Sequence, residues 1–145
     1  MVDLRMLYTD LIRFEIELWG AVDARLRAAC DLQLTWFEVM RLLDERAGCR
    51  VLDIAEEFRI TVGGTSKVVD RVEAAGYCVR RPNPDDRRSS IVELTPSGRR
   101  TLAKATKVFD EELEARIGSV LPERALDQLA TALAGLRAAY RAKGS

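Results

Sequence analysis

Histidine is absent from the chain. With it go the Ser-His and Cys-His nucleophile pairs, His-ligated zinc, the facial iron triad and an imidazole switch near neutral pH. Cysteine is scarce: Cys30, Cys49 and Cys78 stand far apart with no Cys-x-x-Cys spacing. An odd count without a disulfide framework fits a reducing compartment. Long apolar runs are missing as well, since no more than three apolar residues follow one another, against the roughly 18 that a membrane-spanning helix requires. Met1-Val2-Asp3-Leu4-Arg5 enters an amphipathic pattern at once. No secretory leader is therefore expected, and the chain reads as cytoplasmic and nucleoid-associated.

What is present suffices for one folded domain: 145 residues, 48% of them apolar, enough to bury a core without disulfides or metal. The net charge is zero, from 23 basic and 23 acidic side chains, but the charges are unevenly spread. Residues 1–31 and residues 32–61 each carry four basic and six acidic side chains, residues 62–100 carry eight and five, and residues 101–145 carry seven and six. Nucleic-acid binding depends on where the charge sits, and the third segment is the basic one. A solvated surface would account for so small an excess equally well.

Periodicity supplies the elements. Leu4, Leu7, Leu11, Phe14, Leu18, Val22 and Leu26 form an apolar stripe at helical spacing over the first thirty residues. Leu34-Thr35 opens a second helix, with Thr35 and Glu38 at the spacing of a capping box and Gly48 as its stop. A short helix follows, with Asp53 and Glu56 at capping spacing and Ile54, Ala55 and Phe58 as its buried positions. Thr61 then caps a helix from about Val62 to Ala75, ended by Gly76. Two short helices so closely joined read as helix-turn-helix. Tyr77–Arg81 and Ser90–Thr95 are rich in β-formers and flank a polar, proline-bounded tip, which makes a hairpin. Thr95-Pro96 is a cap with proline at the first helical position and starts a helix to about Ile117. Pro122 begins the last helix, whose Leu126, Leu129, Leu133, Leu136 and Tyr140 make a heptad seam.

The expected fold is mainly α with a small β wing. It is a winged helix-turn-helix with N- and C-terminal dimerisation helices, whose leftover stripes would be buried against a second copy. Residues 1–145 are read as a single domain, with 1–31 and 101–145 for dimerisation and 32–100 as the winged helix-turn-helix lobe.

In this order the residues resemble the MarR (multiple antibiotic resistance regulator) family. The likeness is carried by Leu34-Thr35, Ile54-Ala55-Glu56, the run Ser66-Lys67-Val68-Val69-Asp70-Arg71-Val72-Glu73-Ala74-Ala75-Gly76, then Asp86-Arg87-Arg88 and Leu94-Thr95-Pro96-Ser97-Gly98. Each piece is weak alone, and the ordered set is specific. The resemblance implies a homodimer, often a repressor, that binds a pseudo-palindromic operator and is released by a small ligand or an oxidant.

Within that frame Thr65, Ser66, Lys67 and Arg71 are the candidate DNA-binding residues of the recognition helix, being short polar or basic side chains on its leading turns. Gly63-Gly64 would allow close approach to a phosphate or close packing on the preceding helix. On the wing, Arg88 suits the narrow minor groove, Asp86 suits holding its guanidinium by a bidentate hydrogen bond, and Arg87 suits a phosphate. Arg80 and Arg81 would touch phosphate or merely flank it, and Asp70 is expected to pair with Lys67 one turn earlier. Glu111, Glu112 and Glu114 read as a solvated face.

The family places ligands between the dimerisation helices and the winged lobe, which makes Phe14, Trp19, Trp36 and Phe37 candidates to line a site for a small aromatic or anionic effector. A helical aromatic more often belongs to the core. In the peroxide-sensing branch a cysteine lies early in the first helix, whereas here Cys30 stands at its end. Cys49 is expected to be exposed and Cys78 to be a small apolar strand residue. No catalytic site, metal site or cofactor is expected. The alternative to a DNA-binding regulator is a winged-helix protein-interaction module without specific DNA binding.

Overall fold

In the computed structural model, which describes residues 1–144, α1 spans Leu4–Cys30. Ser145, the last residue of the segment assigned to dimerisation, lies outside the described residues. Asp3 caps α1, accepting from the backbone N–H groups of Arg5 at 2.9 Å and Met6 at 3.4 Å. Only Val22 and Leu26 of its stripe are buried, and Leu4, Leu7, Leu11 and Phe14 remain exposed.

The next helix, α2, spans Leu34–Glu45. Its cap is not Thr35. Gln33 holds the cap position without a side-chain bond, so Thr35 and Glu38 already lie inside the helix. The orphan Leu34 N–H is instead taken by Oδ1 of Asp23 in α1, at 2.9 Å. Asp23 also receives Nε of Arg27 at 2.8 Å. Burial by itself would raise the Asp23 pKa, but the Leu34 N–H and Arg27 outweigh it and hold the carboxyl below its ordinary 3.8. A folded-state value below the unfolded one stabilises the fold above that ordinary pKa, and the contribution is lost as pH falls through the folded value. Asp23→Ala is accordingly expected to cost about 1 kcal/mol at pH 7 and much less at pH 3. Urea unfolding at the two pH values checks this, and an equal loss at both would refute the capping role.

Helix α3, Val51–Phe58, is capped from within. Asp53 accepts the Arg50 backbone N–H at 2.8 Å and the Arg50 guanidinium at 3.0 and 3.1 Å, so its partner is Arg50 and not Glu56. Ile54 and Ala55 are buried as expected, while Phe58 is only half-buried. Helix α4, Val62–Ala74, begins as the sequence indicates, with Thr61 Oγ1 accepting from Gly64 N at 3.0 Å. It ends at Gly76, whose φ of +85° lies in the left-handed region that glycine enters without strain.

The wing pairs β1, Cys78–Pro82, with β2, Ser90–Leu94, in an antiparallel register that sets Cys78 opposite Leu94 and Arg80 opposite Val92. Its base is pinned by the chain before α3: Val92 N donates to Cys49 O at 2.7 Å, and Arg50 bridges Ile91. Thr95 caps α5, Pro96–Leu113, by accepting from Gly98 N at 2.9 Å while donating to Gly76 O at 2.6 Å. The helix does continue past Leu113, but as a π turn over Glu114–Gly118 closed by Ser119 N donating to Glu114 O at 2.7 Å. Helix α6 is Glu123–Ala142.

Contacts divide the chain into two compact units, Met1–Phe109 and the part from Asp110 onward. The core of the first is built from Leu26, Leu32, Phe37, Met40, Ile54, Val69, Val72 and Val92. In the second, α6 buries none of its side chains, and Leu129, Leu133, Leu136 and Tyr140 of its seam are exposed. Among the described residues no helix is long and apolar enough to cross a membrane.

Candidate nucleic-acid interface

Helix α4 turns Val69, Val72 and Thr65 inward and leaves Lys67, Asp70 and Arg71 outward. Thr65 is fully buried, and its hydroxyl donates to Thr61 O at 2.8 Å, so it belongs to the helix's own first turn and is withdrawn from the candidate DNA contacts. One position later, Ser66 is half-buried at the edge of the outward face. A Cβ on Gly63 would meet nothing within 4 Å, and one on Gly64 only the Thr61 hydroxyl at 3.0 Å. Packing on the preceding helix therefore does not require either glycine.

The wing tip is built by side chains that bond its own backbone. Asn83 is buried, accepts from Asp85 N at 3.0 Å and donates to Ser89 Oγ at 3.0 Å. Asp86 accepts the backbone N–H of Arg88 at 2.9 Å. The expected bond from Asp86 to the Arg88 guanidinium is replaced by this Asx-type turn, which fixes the Arg88 main chain and leaves its exposed side chain to extend. Arg50 is pushed above the usual guanidinium value, first by its hydrogen bonds and charge pairing with Asp53 and last by the charge of Asp86. A cavity of about 370 Å³ opens where α3, α4 and the wing meet, with Leu52, Val62, Ser66, Asp86 and Arg88 on its walls. The structure thus brings the leading turns of α4 and the wing arginine to one rim.

Asp70 does not pair with Lys67. Its carboxylate accepts Nη2 of Arg80 at 2.7 Å. Nη1 of the same guanidinium reaches Glu73 at 2.8 Å, the Arg80 backbone N–H donates to Glu73 Oε2 at 3.0 Å, and Nη2 lies 3.5 Å from Ser66 O. Arg81 pairs across the hairpin with Glu93 at 2.6 Å. Neither strand arginine is therefore aimed outward as a free cation. Neither role could be read from the sequence, because the partners of Arg80 lie seven and ten positions away on α4 and that of Arg81 lies on the facing strand, where no local pattern points to them.

The four aromatics differ in burial. Phe37 is fully buried, with its ring centroid 4.8 Å from that of Phe109, and so belongs to the core. Trp36 is half-buried, and Phe14 and Trp19 are exposed on α1. Cys49 is buried rather than exposed, with Sγ 3.7 Å from Arg46 O. Burial, then the nearby Asp53 charge, raises its thiol pKa. Cys78 is 1% exposed, and burial pushes its thiol up to about 11. Neither thiol is poised as a thiolate.

Residues 32–90 match the family model described as MarR family. The uncharacterized HTH-type transcriptional regulator YfiV of Bacillus subtilis (strain 168) is 31% identical over 70 residues, which cover 48% of this chain and 44% of that one. That match spans less than half of the relative's length. The structure of the transcriptional repressor CouR bound to a 23-mer DNA duplex is similar with a TM-score of 0.82 at 30% identity, over 94% of this chain and 99% of that chain. AbsC, a MarR family transcriptional regulator from Streptomyces coelicolor, gives a TM-score of 0.86 at 21% identity over 98% and 97% of the two chains, a likeness of fold.

Proposed function

The chain belongs to the MarR family, and from that premise we propose that it is a sequence-specific, double-stranded-DNA-binding transcriptional regulator. One observation carries the reading. Arg41, Arg46, Arg50, Arg80 and Arg81 each hold a carboxylate within the first unit. Lys67 and Arg71 of α4 and Arg87 and Arg88 of the wing are exposed, and no ion pair holds them among the described residues. In a chain of zero net charge, these unneutralised cations on α4 and the wing supply a local positive field of the kind that phosphates require.

Ser66, Lys67 and Arg71 read and position the major groove, and Arg87 and Arg88 engage the flanking backbone and minor groove. The protein works as a homodimer, with residues 1–31 and 101–145 as its dimerisation segments. Two recognition helices then take half-sites about one helical turn apart on a pseudo-palindromic operator. Support comes from the exposed apolar residues of α1 and, separately, of α6, which a second copy would cover. Repression, and release by a small aromatic or anionic effector, complete the proposal. Phe14, Trp19 and Trp36 remain its candidate contacts.

Fluorescence anisotropy on the duplex upstream of the protein's own gene, against a scrambled duplex over a salt series, tests the reading. Wild type is expected to prefer the native duplex. Arg88→Ala is expected to bind it about ten-fold more weakly, with a log–log salt slope shallower by about 0.9, the loss of one phosphate-like contact. Unchanged affinity in Arg88→Ala would remove the wing assignment. Equal weak binding to both duplexes, repeated on sites selected from genomic DNA, would favour the protein-interaction module.

A further inference from the structure

The Arg80 guanidinium joins the wing to the recognition helix at three acceptors on α4, and we infer that Arg80 is a positioning residue for DNA binding, setting the wing against the recognition helix without touching DNA itself. The inference rests on the DNA-binding reading above.

The geometry supports a fork and not a point charge. Arg80 sits mid-strand in β1, opposite Val92. Its two terminal nitrogens reach carboxylates three residues apart on α4, Asp70 at 2.7 Å and Glu73 at 2.8 Å. One further bond runs from the Arg80 main chain to Glu73 at 3.0 Å, so strand and side chain are tied to the same carboxylate. The Arg80 side chain is 23% exposed while that of Asp70 is 64% exposed. The cation thus lies behind the surface that its partner occupies. Ser66 O lies 3.5 Å from Nη2, which places the clamp directly under a proposed DNA-reading residue.

The consequence follows from multipoint binding. Wing and recognition helix must meet one duplex together, and a hairpin free to swing would lose affinity by having to be ordered on binding. Arg80 also neutralises Asp70, which stands on the outward face of α4 beside Lys67 and Arg71 and would otherwise repel phosphate. Lysine keeps the charge but cannot span two carboxylates in a planar fork.

The test uses Arg80→Lys, Glu73→Gln and Arg88→Ala, with Arg80→Lys also combined with Arg88→Ala, all titrated as full chains on operator and scrambled duplex. Arg80→Lys and Glu73→Gln are each expected to weaken operator binding about ten-fold. The Glu73→Gln result is decisive in sign, because removing a negative charge alone would tighten binding to DNA. In the Arg88→Ala background, Arg80→Lys is expected to add less than about three-fold, since the Arg88 contact that the clamp positions is already gone. Amide exchange in the free proteins should show faster exchange at β1 and β2 in Arg80→Lys, with the α2 core unchanged. Wild-type affinity in Arg80→Lys, tighter binding by Glu73→Gln, or full multiplication with Arg88→Ala would each overturn the inference. A wild type that does not distinguish operator from scrambled duplex would remove the DNA reading, and with it any role for Arg80 in DNA binding.

Discussion

Gly98→Ala is expected to destabilise the protein by about 3 kcal/mol, the upper end of what overpacking usually costs, although alanine is the better helix former by about 1 kcal/mol. Gly98 lies in the first turn of α5 and is buried against the root of the wing. A Cβ built there would overlap the carbonyl oxygen of Tyr77 and stand 2.9 Å from its carbonyl carbon. That obstacle is backbone and has no rotamer to escape into. The same carbonyl accepts Thr95 N at 3.0 Å, and Thr95 Oγ1 donates to Gly76 O, so the start of α5 and the start of the hairpin would be forced apart together. Gly20→Ala is the control. Nothing lies within 4 Å of its added Cβ, and a gain of about 0.5–1 kcal/mol is expected there. Urea unfolding at one fixed protein concentration measures both. A Gly98→Ala variant as stable as wild type would show that hairpin and helix are not in the close contact described.

Phe37→Ala is expected to cost about 3–5 kcal/mol, the largest single truncation effect in the chain. The side chain is fully buried, and its ring lies at 33° to that of Phe109 with centroids 4.8 Å apart. Arg41 lies over the far partner, its Cζ 5.6 Å from the Phe109 centroid. Removing Phe37 would forfeit its own burial and leave Phe109 facing a void. This outcome separates a core residue from the wall of an effector site. A ligand-lining aromatic would lose little stability on truncation and would change ligand selectivity instead. Unfolding at fixed concentration decides the matter, with a loss below about 1 kcal/mol speaking for the ligand wall.

Where the governing interaction was local, residue order was mostly enough. The apolar repeats placed the first and last helices, Thr61 and Thr95 marked the starts of α4 and α5, Gly76 marked an end, and the proline-bounded polar run marked the wing tip. Such signals involve residues within a few positions of one another, so backbone preference and a single side chain can settle them, although at α2 and α3 the cap positions fell to Gln33 and Arg50 instead of Thr35 and Asp53. The ordered motifs also sufficed to point to the MarR family and its winged helix.

Partner choice across elements was decided only by the folded chain. Asp23 caps a helix eleven residues on, and Asp70 passes over nearby Lys67 for Arg80 on a strand. Facing was decided there too. Thr65 and Ser66 are equally polar neighbours, yet the phase of α4 against the core sends one inward and leaves the other at the rim. Phe37 and Cys49 are buried because other elements close over them. Local sequence fixes dihedral angles, but which charges meet and which side chains leave water depends on how those elements stack, and spacing along the chain does not record that distance.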